Sequence, residues 1–146
     1  MRAGYDVEWQ FEHKGFQCVV VVQELGHRCG YVGIPSSMNH PLFGVDADRL
    51  ESSFGLYIEV HGGLNYSNGE PDYPIPNDQN WWWFGFDCFH VGDAPDIDAI
   101  KDPRLKAMYA DFKKPLESLG VVRTVDYCAD ECIKLADQLK DIILGE

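Results

Sequence analysis

The sequence lacks a long apolar run, a basic stripe and a paired set of cysteines, and each lack removes a class of function. Its longest apolar run, Cys18–Val22, falls far short of the roughly 20 residues that a membrane-spanning helix needs. The beginning of the chain has no cationic segment leading into an apolar one, so no secretory signal is expected and the expected location is cytoplasmic. Binding a nucleic-acid backbone needs a basic face that releases counterions. Here 24 acids stand against 12 bases, for a formal charge of -12. The bases that do gather, Lys101, Arg104, Lys106, Lys113 and Lys114, are interleaved with Asp102, Asp111 and Glu117, the pattern of solvated helix faces. Nucleic acid and membrane are therefore not expected as partners, and homo-oligomers remain compatible with the sequence.

Five cysteines, an odd count with no CxxC, argue against a disulfide framework. Cys128 and Cys132, spaced i,i+4 on a predicted helix, are expected in its core stripe rather than in a zinc half-site. No Walker loop, dinucleotide fingerprint or nucleophile elbow is present. No cofactor and no resident metal are expected.

What is present is enough apolar sequence for one domain spanning residues 1–146, with a sheet within 5–90 and a helical part within 98–144. Residues 6–12 and 16–23 flank His13-Lys14-Gly15 as a hairpin would. A third strand is predicted over 28–33, a long connection over 34–55, and a fourth strand over Leu56–His61, where Leu56, Ile58 and Val60 alternate with Tyr57, Glu59 and His61. Residues 62–80, rich in Gly, Pro and Asn, form a long loop of the functional or mobile kind. Trp81–Cys88 is a central strand with faces Trp81/Trp83/Gly85/Asp87 and Trp82/Phe84/Phe86/Cys88, and Gly85 marks a bulge or a close backbone approach. Leu105, Met108, Tyr109 and Phe112 predict one helix, and Val121–Arg123 a short strand. Cys128, Cys132, Leu135, Ala136, Leu139 and Ile143 predict a final helix with a core-facing stripe. The expected fold is α+β, an antiparallel sheet of five to six strands followed by two C-terminal helices packed on one face.

Chemistry-capable groups concentrate in three places. Asp87, His90 and Asp93 put two carboxylates and an imidazole within one short segment, suited to metal binding or to acid–base work, or simply to bonding the backbone of a turn. His61-Gly62-Gly63 follows a predicted strand with two glycines that can turn tightly and expose amides. Trp81-Trp82-Trp83 puts indoles on both faces of one strand, either as core or as a platform for a flat ligand. Arg28 and Arg123 are the cations able to clamp a phosphate or carboxylate. If strands 56–61 and 81–88 pair antiparallel, His61 falls beside Trp81, roughly 20 Å from Asp87. Two separate ends are therefore expected, and a parallel pairing would join them.

Cys29-Gly30-Tyr31-Val32-Gly33-Ile34-Pro35, His40-Pro41-Leu42-Phe43-Gly44, Val60-His61-Gly62-Gly63-Leu64 and Trp82-Trp83-Phe84-Gly85-Phe86-Asp87-Cys88-Phe89-His90-Val91-Gly92-Asp93, with Arg123 and Tyr127, resemble a small family of uncharacterised proteins from bacteriophages and their bacterial hosts. The resemblance spans residues 18–140 and implies a phage or prophage setting without implying a reaction. In that setting the leading expectation is a non-catalytic binder of a small molecule, such as a nucleotide immune signal, using His61, Gly62, Gly63, Trp81, Trp83, Asp87, His90, Asp93 and Arg123. Two alternatives stand beside it. One is a metal-assisted hydrolase or nucleotide-modifying enzyme built on Asp87, His90 and Asp93, with His40 or His61. The other is an acidic protein–protein inhibitor.

Overall fold

A computed structural model describes residues 4–144. The side chain of Ile143 lies outside the described residues. Strand β1 (Tyr5–His13) returns as β2 (Phe16–Gln23) through Lys14 and Gly15, both at positive φ, the twist that a two-residue hairpin turn requires. Strand β3 (Arg28–Pro35) follows. Arg49–Phe54 forms a short helix, α1, within the connection, and β4 (Tyr66–Asn68) and β5 (Trp81–Asp87) complete an antiparallel sheet in the order β1-β2-β3-β5-β4. The α+β class follows from this sheet and the helices after it.

The β3–β5 register explains the glycines. Gly30 faces Phe86, Tyr31 faces Gly85 and Gly33 faces Trp83, so each pair sets a glycine against a ring. A Cβ on Gly30 would enter the Phe86 ring and come within 2.8 Å of Cys132 Sγ; one on Gly33 would come within 2.9 Å of Trp83. Gly85 is thus a close approach, with Tyr31 filling the space above it.

The two faces of the sheet have different covers. On one, Cys18, Val20, Val32, Ile34, Phe84 and Phe86 pack against Cys128, Cys132, Leu135, Ala136 and Leu139 of α4 (Val125–Leu144). Leu135 and Leu139 are fully buried, each contributing roughly 2 kcal/mol of transfer free energy. The opposite face carries Val19, Val21, Cys29, Tyr31 and Trp83 beneath Tyr73 and Ile75. Residues 62–80 are therefore a cover rather than a loose loop. Asn77 fastens it, donating from Nδ2 to the carbonyls of Glu70 and Trp81 and accepting from Trp81 N at 2.7 Å.

Among the described residues, α4 forms the main helical layer on the sheet, with Leu50 of α1 at its margin. Residues 103–117 form two short helices, α2 (Pro103–Ala110) and α3 (Lys113–Glu117), neither with a buried residue. Asp102 caps α2 from Oδ1 to Arg104 N at 2.8 Å. α3 stands beside β7 (Gly120–Val122) of a small parallel sheet with β6 (Gly92–Ala94), and α2 packs against the turn at Ile97–Ala99. Among the described residues no helix is long and apolar enough to cross a membrane.

The strand predicted over Leu56–His61 does not form. The segment has no regular secondary structure; Leu56, Ile58 and Val60 do turn into the core, but its neighbour is α4. Gln138 donates from Nε2 to Glu59 O and accepts from Glu59 N, both at 2.7 Å, and Glu131 Oε1 accepts from His61 N at 2.7 Å. A helix edge thus supplies, through side chains, the bonds that a neighbouring strand would have made.

Candidate functional site

Docking residues 56–61 on α4 carries His61 to the end of β5 where Asp87 lies, so the separation expected from antiparallel pairing is overturned. His61 and Gly62 occupy a turn closed by Gly63 N donating to Val60 O at 2.8 Å. Gly62, at φ +67, takes the left-handed position that such a turn reserves for glycine. A Cβ there would enter the His90 imidazole, so the bare glycine is also the seat of that ring.

Asp93 organises the cluster. Its side chain is 1% exposed, and its two oxygens accept from His61 Nε2 (3.0 and 2.9 Å), Arg123 Nε (2.8 Å) and His90 N (3.0 Å). Burial opposes its ionisation, but these donors hold the carboxyl below its ordinary value. Asp93 in turn raises the Arg123 guanidinium. The far side of His61 meets Tyr127 Oη at 2.7 Å from Nδ1. Burial, aided by Glu131, pushes the Tyr127 phenol up and keeps it protonated. With the Nε2–H tautomer, the Tyr127 hydroxyl donates to Nδ1 and Nε2–H donates to Asp93, so that each donor faces an acceptor.

Asp87 and His90 stand one layer outward, each with a side chain 36% exposed. Asp87 Oδ2 accepts from Asn65 Nδ2 at 2.8 Å and Oδ1 from Phe89 N at 3.2 Å. His90 Nε2 is 2.9 Å from Asp87 Oδ1, near enough for an ion pair. That nitrogen is nevertheless buried without an aligned acceptor, so attraction between the two depends on charge and not on a directed bond. Among the described residues no three His, Cys, Asp or Glu side chains are grouped to hold a metal ion. The lone pairs of Asp93 are already taken by its three donors.

Two hollows flank this end of β5, separated by Phe89, whose ring stacks on His27 at 4.0 Å and 5°. A cleft of about 450 Å³ opens on the sheet face that carries Asp87 and Tyr31. Tyr31 and Tyr73 share a hydroxyl contact of 2.6 Å, and Gln23 Nε2 donates to Tyr73 Oη at 2.8 Å. Tyr66, Asn65 and Asp87 also line this cleft, together with Glu24 and, among the described residues, without any Lys or Arg. The second hollow, about 580 Å³, is mostly apolar; Val91, Ile97, Tyr109 and Leu119 line it, with His90 and Asp93.

Of the residues singled out from sequence, His61, Gly62, Asp87, His90, Asp93 and Arg123 come together, and Gly63 closes their turn. Trp81 and Trp83 do not join them. Trp83 is fully buried under Tyr73 and Ile75, and Trp81 lies at the opposite end of β5, about 20 Å away by strand rise. Their expected place in this site is corrected by the register of the strand, which sends Asp87 to one end and Trp81 to the other. His40 is buried in the core, with Nε2 on Leu139 O and Nδ1 accepting from Leu42 N, a structural role. Arg28 is likewise engaged, by Glu8, Asp96 and the Arg123 carbonyl. Sequence reasoning missed Asn65, Glu131, Gln138 and the Tyr31/Tyr66/Tyr73 group. Glu131, at i,i+4 from Tyr127 on a helix edge, was the legible signal among them. Searches of the chain against protein-family models, curated proteins and solved structures find no match in any of the three.

Proposed function

We propose that the protein binds a small planar molecule, uncharged or cationic, in the cleft at the Asp87 end of β5. The observation that carries this reading is the cleft itself. About 450 Å³ lies within the range of small-molecule sites, and aromatic walls with a few polar groups are their usual lining. The Tyr31–Tyr73–Gln23 chain offers hydroxyl and amide groups at the floor, Asn65 and Asp87 offer an amide and a carboxylate at the rim, and Phe89 with His27 forms a flat wall. With Glu24 and Asp87 in the lining and, among the described residues, no Lys or Arg beside them, a phosphate is disfavoured there. Within nucleotide chemistry the cleft suits a base or nucleoside. The His61–Asp93–Arg123–Tyr127 network is the scaffold that fixes the Asp87–His90 segment beside it. In the phage or prophage setting implied by the sequence resemblance, such a protein withdraws its ligand from a host process.

The test is native mass spectrometry of protein taken from cells, followed by thermal-shift titration with nucleobases, nucleosides and their 5′-monophosphates. A ligand at 100 times its Kd stabilises by about 2.7 kcal/mol, or about 5–10 °C for a domain of this size. The expected order is nucleoside or base above monophosphate, with binding weakened in Phe89→Ala and Asp87→Asn. A monophosphate that binds more tightly than its nucleoside would refute the reading, as would a panel without effect.

One observation favours a second reading. His90 and Asp87 stand 2.9 Å apart at the junction of the two hollows, the arrangement of a base with a nearby carboxylate, which would support metal-free acid–base chemistry on a bound ligand. Conversion of the ligand in the same titrations, lost in His90→Ala, would favour it.

A further inference from the structure

A second hollow on the open sheet face, at the other end of β5, is not used by the proposal above. Its volume is about 720 Å³. Gln10 and Glu12 of β1 and Gln17 of β2 form its floor, and Trp81 and the turn carrying Asp78 and Gln79 form its wall. The placement follows from pairing. Gln10 stands opposite Val19 and Glu12 opposite Gln17, on the face where Val19 is part of the Trp83 core. Trp81 is held against Trp83 at 5.3 Å and 62°, and its backbone is clamped by Asn77, so the indole is fixed in orientation while partly open to solvent.

The polar groups here differ from those around Asp87. There the side chains bond one another: Tyr31 with Tyr73, Gln23 with Tyr73, Asn65 with Asp87. Here, among the described residues, the fold makes no side-chain hydrogen bond or ion pair with Gln10, Glu12, Asp78 or Gln79, nor with the Trp81 indole N–H; Gln17 alone is used, donating to Phe11 O at 3.3 Å. The hollow therefore presents a rigid apolar plate rimmed by amides, which both donate and accept, and by carboxylates, which accept.

We infer that this hollow is a binding site for a neutral saccharide. A pyranose ring has an apolar face of C–H groups and a rim of hydroxyls, each both donor and acceptor. The first matches the indole plate and the second the mixed amide and carboxylate rim. Glu12 and Asp78, with no Lys or Arg in the lining among the described residues, disfavour acidic sugars and phosphosugars. A quaternary ammonium ligand would ask for several aromatic walls, and this hollow has one Trp. Its volume of about 720 Å³ suits two or three linked rings held weakly, not one ring enclosed.

The experiment is a titration of the full chain, labelled with nitrogen-15, with maltotriose, cellotriose and tri-N-acetylchitotriose, each to about 20 mM, a ceiling set for millimolar binding. Sialyllactose and tetramethylammonium serve as contrasting probes. The readout is the indole N–H signals, with that of Trp81 assigned by its loss in Trp81→Phe. A saturable shift of the Trp81 signal with at least one neutral trisaccharide is expected, with the fully buried Trp83 signal unmoved. Affinity, followed in the variants by the backbone amide signals of Gln10, Glu12 and Asp78, should fall about tenfold in Trp81→Ala, which loses the plate, and several-fold in Gln79→Ala, an exposed position that leaves the core intact. The inference is overturned if no neutral trisaccharide shifts the Trp81 signal. It is also overturned if the affinity is unchanged in Gln79→Ala and Trp81→Ala, or if sialyllactose or tetramethylammonium binds in preference to all three.

Discussion

Replacing Asp93 by asparagine keeps the side-chain volume and removes one charge and one acceptor. Asp93 is 1% exposed and receives three donors, two from partly buried cationic or imidazole groups and one from the backbone. Breaking a buried, hydrogen-bonded ion pair from one side costs about 3–5 kcal/mol. Arg123, at 23% exposure, can turn partly to water, which puts the expected loss near the lower end, about 3 kcal/mol. For a domain of this size that is a drop of roughly 6–12 °C in Tm. Urea denaturation at pH 7, followed by tryptophan fluorescence, reads it directly. Asp98→Asn, which removes an exposed partner of Lys113, is the control and should stay within about 0.5 kcal/mol of wild type. The pH dependence carries the sign. The folded pKa of Asp93 lies below its ordinary 3.8, so its contribution is present above that value and is lost as pH falls through the folded pKa. The gap between wild type and Asp93→Asn should be full at neutral pH and close below about pH 4. A loss under about 1 kcal/mol at pH 7, or a gap that persists unchanged at pH 2, would refute the claim that an ionised Asp93 holds the cluster together.

Two further perturbations address its neighbours. Gly62→Ala, with φ +67 and a Cβ driven into the His90 ring, should cost more than the about 1–2 kcal/mol of left-handed strain alone and displace the His90 resonances. Gly63→Ala, with φ +81 and open space, should show only the strain, and equal effects on His90 from both would contradict the packing. Gln138→Ala removes both side-chain bonds to the Glu59 backbone. It should cost about 1–2 kcal/mol and speed hydrogen exchange at the Glu59 and His61 amides, and unchanged protection there would mean that the segment is held by its apolar side chains alone.

Alternation and turn chemistry made much of the sheet legible. The hairpin at Lys14-Gly15, the strand over Trp81–Cys88 with its two faces, and the core stripe of α4 all follow from period and punctuation, which are local properties. The same alternation misled at Leu56–His61. Leu56, Ile58 and Val60 do face the core, but alternation reports which side is buried and is silent on what lies alongside. A glutamine and a glutamate on a helix edge can replace a strand, and nothing in 56–61 itself signals that. The spacing of Leu105 to Phe112 likewise has helical period, yet α2 ends at Ala110 and buries none of its residues, and Phe112 lies between it and α3.

From the chain alone came the α+β class, the segments that turn and the titratable residues worth following, because propensity, periodicity and glycine placement act over a few neighbours. Bringing His61 to Asp93, sending Trp81 to the far end of the same strand and sealing Trp83 beneath Tyr73 and Ile75 were decisions of the tertiary structure. Those depend on which surfaces meet across long sequence separations: α4 against residues 56–61, and residues 71–77 against the open face of the sheet. The free energy of such contacts belongs to pairs of distant segments, so neither segment carries it when read by itself.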